Sequence, residues 1–91
     1  LAFEPGSAVL PAPAAETLRA FARRRGGHAI VVTGYGDADS ANPDVQAKAL
    51  ALGLQRAQAM AQALAADGVP QQSVRIEAQA GGRGGAARII E

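Results

Sequence analysis

Ninety-one residues, a net charge of +1 and an apolar fraction of 48% describe one small globular domain with a marginal core. So balanced a charge argues against a nucleic-acid partner, and no apolar run approaches the ~20 residues that cross a bilayer. With no cysteine, disulfides, thiolate nucleophiles and thiolate metal sites are excluded from this span.

Alanine makes up about a quarter of the chain, against two Phe and one Tyr, so the core must be thin, with helices lying close to their sheet. The chain opens on Leu1 in strand-like sequence without a signal-peptide pattern. It reads as a domain excised from a longer protein, with any membrane anchor outside it.

Residues 1–3 read as a short strand closed by Pro5-Gly6-Ser7. A helix is predicted over 13–25, with Leu18, Phe21 and Ala22 on one face and Glu16 in its first turn. Arg23, Arg24 and Arg25 suit its C-terminal end, and Gly26-Gly27 stops it. Residues 29–33 (Ala-Ile-Val-Val-Thr) have the β-branched, continuous apolar character of a central strand, and 34–40 form a loop. Asn42-Pro43 supplies an N-cap and first helical position for a helix running to Asp67, which Gly68 ends.

In that helix Leu50, Leu54, Ala57, Ala61 and Leu64 form the expected core stripe. Val45, Ala49, Leu52 and Arg56 lie beside it, at the border with solvent. At ~1.5 Å per residue the helix is long for so small a domain, so either its first turns overhang or it bends near Gly53. Residues 74–78 alternate apolar and charged, as in a strand wet on one face. A flexible glycine connection follows at 81–85, and 88–91 close the chain as a short strand. The expected architecture is an α+β two-layer sandwich in β-α-β-α-β-β order. Two crossovers give parallel pairings, the glycine-linked last strands give an antiparallel neighbour, and both helices pack on one face of the mixed sheet.

The candidate chemistry is a pair of opposite charges. Asp37 ends the turn Gly34-Tyr35-Gly36-Asp37, and Arg56 stands in the following helix. Each alone has an ordinary explanation, as a turn former and as a helix-edge residue covering apolar surface. Together, a carboxylate at a strand's end and a guanidinium fork on the next helix could grip the ammonium and the carboxylate of an amino acid.

Other features rank lower. His28 has no partners at metal-ligand spacing, and Asp37 with Asp39 reads as a solvated acidic turn. The single RGG-like stretch at 81–85 lacks aromatic neighbours. No nucleophile and base pair suggests an enzyme, and nothing calls for a cofactor.

The turn Gly34-Tyr35-Gly36-Asp37 and the helical Leu52-Gly53-Leu54-Gln55-Arg56-Ala57 resemble the G-[HY]-[TA]-D and N-x-x-L-S-x-x-R-A motifs of the OmpA-like peptidoglycan-binding domain. Phe3-Glu4-Pro5-Gly6-Ser7-Ala8-Val9-Leu10 is similar to that family's opening F-x-x-G-S-x-x-L. Gly68-Val69-Pro70 before Val74 resembles its exit from the helix, and Arg88-Ile89-Ile90-Glu91 its terminal strand.

The resemblance implies non-catalytic binding of the diaminopimelate residue of the peptidoglycan stem peptide, tethering a periplasmic, envelope-associated parent to the cell wall. Asp37 would accept the ligand ammonium and Arg56 its carboxylate. Backbone groups near Gly36 and Ala38 would add hydrogen bonds, and Gly34, Tyr35, Leu52 and Arg88 would support the site. A fixed charge pair in a half-exposed groove implies weak, reversible binding.

The chain departs from the pattern where the family's Asn and Ser fall on Ala49 and Gly53. The Asp37 to Arg56 spacing is also about four residues longer, roughly one helical turn. The segment before the last strand is short, with Ala86 where the family has Asn. These losses leave a second role open: the same fold as a protein–protein interaction module in an envelope assembly, including association with its own copies.

Overall fold

A computed structural model describes residues 1–90. Helix α1 (Ala12–Arg24) precedes strand β1 (Ile30–Tyr35), helix α2 (Pro43–Ala66), a 3-10 turn (Gln71–Ser73), and strands β2 (Val74–Gln79) and β3 (Gly85–Ile89). The two helices pack on a three-stranded mixed sheet, which is the expected α+β class.

β1 takes the centre, with β2 parallel on one side and β3 antiparallel on the other. Its position follows from its composition, since Ile30, Val31, Val32 and Thr33 are all buried. Leu18, Ile30, Val32, Ala57, Met60, Leu64 and Val69 form the core, and Phe3, Leu10 and Phe21 pack against its margin.

α2 begins as its sequence dictates. Asn42 accepts a hydrogen bond from the Asp44 N–H at 2.8 Å, Pro43 follows it, and Asp44 places negative charge in the first turn. Gly68, at φ 91°, lets the chain leave the helix. Asp44, Gln46, Ala47 and Lys48 are exposed, so the first turns overhang the body of the domain.

Four expectations are corrected. Residues 1–3 do not form a strand of the sheet; Leu1 exchanges a single reciprocal pair of backbone hydrogen bonds with Gly85. The turn Glu4-Pro5-Gly6-Ser7, with Gly6 at φ 70° and the Ser7 N–H on the Glu4 carbonyl, then diverts the chain towards α2. Glu16 is not in the first turn of α1, because that helix already starts at Ala12, behind Pro11.

Nor are β2 and β3 neighbours. The glycine-rich link between them crosses the end of β1 and is fixed there: the N–H groups of Tyr35, Asp37 and Ala38 donate to the carbonyls of Gly84, Gly82 and Ala80. Among those glycines, Gly82 and Gly84 take the positive φ values of 80° and 70° that the crossing needs.

Finally, only the C-terminal part of the expected stripe on α2 is buried, with Ala57 and Leu64 in the core and Ala61 packed against it. Leu50 and Leu54 are 48% and 44% exposed, while Ala49, Gly53, Arg56, Ala57, Met60 and Leu64 face inward. The thin core is the reason: where helix and strand approach most closely, only small residues fit between them.

Candidate functional site

The site begins with an absence of side chains. A Cβ on Gly34 would overlap the Gly53 carbonyl and come within 2.7 Å of the Ala57 nitrogen, and one on Gly36 would reach 2.8 Å from the Ala49 Cα. α2 therefore lies backbone to backbone on the end of β1. Arg56, one turn beyond Gly53, is carried beneath the turn that follows the strand. Asp37 has a left-handed backbone, φ 63°, a conformation that aspartate tolerates better than most residues.

The result is a closed clasp. Arg56 Nη1 donates to Asp37 Oδ1 at 2.9 Å and Nη2 to Oδ2 at 2.8 Å, a two-pronged guanidinium–carboxylate pair. Nε donates to the Ser7 carbonyl at 2.8 Å, Nη1 also to the Tyr35 carbonyl at 2.7 Å, and Nη2 also to the Glu4 carbonyl at 3.0 Å. All five N–H donors of the guanidinium are thereby used. Its carbon sits 5.2 Å from the centre of the Phe3 ring, and the residue is completely buried. The expectation that Arg56 stands at the solvent border is overturned.

Asp37 keeps its side chain 26% exposed. Its hydrogen bonds from Arg56 hold the carboxyl below its ordinary value of 3.8, outweighing the opposing effect of burial. The Gly6 N–H and the nearby charge of Arg83 add to the lowering. Because the folded-state pKa is depressed, the stabilisation is complete above the unfolded value and is lost as pH falls through the folded one. Urea unfolding followed between pH 6 and pH 2 is expected to show stability declining below about pH 4, the unfolded carboxylate range. Asp37→Asn should lack that component of the decline.

Beside Asp37 lies a shallow groove of about 240 Å³ lined by Gly36, Asp37, Ala38, Val45, Lys48, Ala49 and Leu52. The structure thus brings Gly36, Asp37, Ala38 and Leu52 together, with Arg56 behind them in the interior. Tyr35 contributes its carbonyl to the clasp, and Gly34 contributes the close approach of the helix. The Ala38 N–H is committed to the Ala80 carbonyl. Arg88 is not part of the group: it pairs with Val31, towards the opposite end of β1.

Sequence reasoning missed Lys48, whose only signal is that it is the sole lysine. It lines the groove together with Asp37 and makes no ion pair among the described residues. The carbonyls of Glu4 and Ser7 were equally invisible, since any residue carries one.

Fold and site together define a two-layer α+β domain with a buried arginine clasped to a partly exposed aspartate. The chain belongs to the OmpA family, whose model matches residues 2–88. Among solved structures, the OmpA-like domain of FopA1 from Francisella tularensis superposes with a TM-score of 0.77 at 13% identity, covering 99% of this chain and 73% of that one. The C-terminal domain of Helicobacter pylori MotB gives 0.76 at 13% identity, with 99% and 83% covered. The peptidoglycan-associated lipoprotein from Burkholderia pseudomallei gives 0.74 at 18% identity, with 99% and 86% covered. At these identities the likeness is one of fold. A search of curated proteins returns no match.

Proposed function

We propose that the domain binds the stem peptide of peptidoglycan through its diaminopimelate residue and anchors a periplasmic, envelope-associated parent to the cell wall. The observation that carries this reading is the partly exposed Asp37, which lines the groove in a chain of the OmpA family. The solved relative that is itself a peptidoglycan-associated lipoprotein supports it.

Within this proposal Asp37 takes the ligand ammonium. Arg56, with its donors committed to Asp37 and three carbonyls, acts by aiming that carboxylate. Lys48 is the cation at the groove that can meet the ligand carboxylate. Gly36, Ala38 and Leu52 line the same groove and shape the seat. A cationic point charge on a flexible stem is less discriminating than a guanidinium fork, so affinity in the millimolar to high-micromolar range is expected, roughly −4 to −6 kcal/mol.

Calorimetric titration with a diaminopimelate-containing stem peptide tests the reading, with a lysine-containing stem peptide as control. Saturable binding that Asp37→Asn weakens at least about tenfold is expected, about 1.4 kcal/mol. Lys48→Ala should erase the preference for diaminopimelate over lysine, because only diaminopimelate carries the additional carboxylate. No binding by the unmodified chain at millimolar ligand would refute it. The closed state of Arg56, and the loss of polar side chains at Ala49 and Gly53, favour a second reading in that event: an OmpA fold retained for association with other proteins.

A further inference from the structure

β2 is an outer strand of the sheet, and its free edge runs beside a groove of about 570 Å³. Val74 and Ile76 line that groove from the strand, with Ala61, Ala65 and Val69 opposite them and Gln58, Gln62 and Gln71 adding polar groups. Ile76 is 43% exposed. Helical spacing places the exposed Leu50 and Leu54 on the same side of α2 as Ala61 and Ala65, extending the apolar stripe. An open backbone edge flanked by exposed apolar side chains is a template for another strand.

We propose that this edge pairs with β2 of a second copy, antiparallel, about a twofold axis through Ile76. The charge pattern of β2, Val74-Arg75-Ile76-Glu77-Ala78-Gln79, selects both the occupant and the register. Residues that face each other across an antiparallel pair must lie on the same face of the sheet, so a symmetric pairing can be centred only on a residue. Centring on Arg75 sets two arginines against each other, and centring on Glu77 sets two glutamates. Centring on Ile76 places Arg75 opposite Glu77 of the second copy, twice over, with Ile76 opposite itself and Val74 opposite Ala78. Charge complementarity therefore exists in one central register and is replaced by repulsion in the registers on either side.

On the helical side, α2 packs over β1 and β2, so the twofold brings the two α2 helices together above the seam. Ala61 and Ala65 permit a close approach there, and the seam covers the exposed leucines. No residue that lines the Asp37 groove lines this one, so the association is separable from ligand binding.

Sedimentation equilibrium of the full chain, from about 10 μM to 1 mM, is the test. The unmodified chain is expected to form dimers. Arg75→Glu alone and Glu77→Arg alone should each weaken the dimer at least tenfold, with folding checked by circular dichroism. Mixing the two variants should restore association, because it sets opposite charges across both pairs, a recovery that misfolding cannot imitate. A wild-type chain still monomeric at 1 mM would overturn the proposal and leave the edge to a strand from a different protein. Single variants that dimerise as wild type does, or a mixture that stays monomeric, would overturn it equally.

Discussion

Replacing Arg56 by Met is expected to cost about 3 kcal/mol or more, because a fully buried side chain gives up five hydrogen bonds and each acceptor left unsatisfied costs roughly 1–3 kcal/mol. The side chain has no exposed surface, and its loss withdraws five donors, two from the Asp37 carboxylate and one each from the carbonyls of Glu4, Ser7 and Tyr35. For a small domain with total stability of about 5–15 kcal/mol, that removes a large fraction of the whole. The midpoint of thermal unfolding should fall by more than about 12 °C. Arg56→Lys should recover little, since one ammonium with three donors cannot span both carboxylate oxygens and three carbonyls. Asp37→Asn should be milder, because its side chain is partly exposed and asparagine tolerates the left-handed backbone. Urea unfolding followed by circular dichroism measures all three. An Arg56→Met variant within 1 kcal/mol of wild type would show that the clasp carries no stability.

Gly34→Ala is expected to be comparably severe for a different reason. The added methyl would overlap the Gly53 carbonyl and crowd the Ala57 nitrogen, both of them backbone atoms that no rotamer change can move. Strand and helix would have to separate, opening the interface that carries Ala57 and Met60, so a loss of about 3 kcal/mol or more is expected, at the upper end of overpacking effects. Gly27→Ala is a useful contrast: nothing lies within 4 Å of its Cβ position, so its cost comes from φ 90° alone. Comparing the two variants by urea midpoint separates steric from conformational cost. Equal effects would argue that the close approach of α2 is unimportant.

Much of the architecture was legible because several residues carry unambiguous local physics. The β-branched run 29–33 had to be central, Asn42-Pro43 had to open a helix, and Gly68 had to close it. That Asp37 and Arg56 belong to one site was also legible, from complementary charges at a strand end and on the following helix, but as two grips on a ligand; in the structure each holds the other.

Their environment was not. Reading leucines as core and arginine as rim is sound where a helix packs at ordinary distance. Here the helix descends onto glycines, so alanine and glycine face inward and leucine is displaced outward. The arginine becomes buried because backbone carbonyls, which have no letter of their own, supply its remaining acceptors. The parallel pairing of β1 with β2 was as expected, but β3 was misplaced for a related reason. A short glycine link suggests a hairpin, yet the same glycines allow the chain to cross a strand end. Lys48 was overlooked because a lone exposed lysine on a helix carries no signal until its groove is known.

The clasp also imposes an order in time. The two bonds from Arg56 to the opening segment close sequence separations of 49 and 52 residues, among the costlier connections for a chain of this length. Until α2 has formed and docked on β1, the Glu4 carbonyl holds only the Ser7 N–H of its own turn and the Ser7 carbonyl lacks its Arg56 donor. The segment from Glu4 to Ser7 therefore settles late, held in suspense until residue 56 has followed it and found its strand.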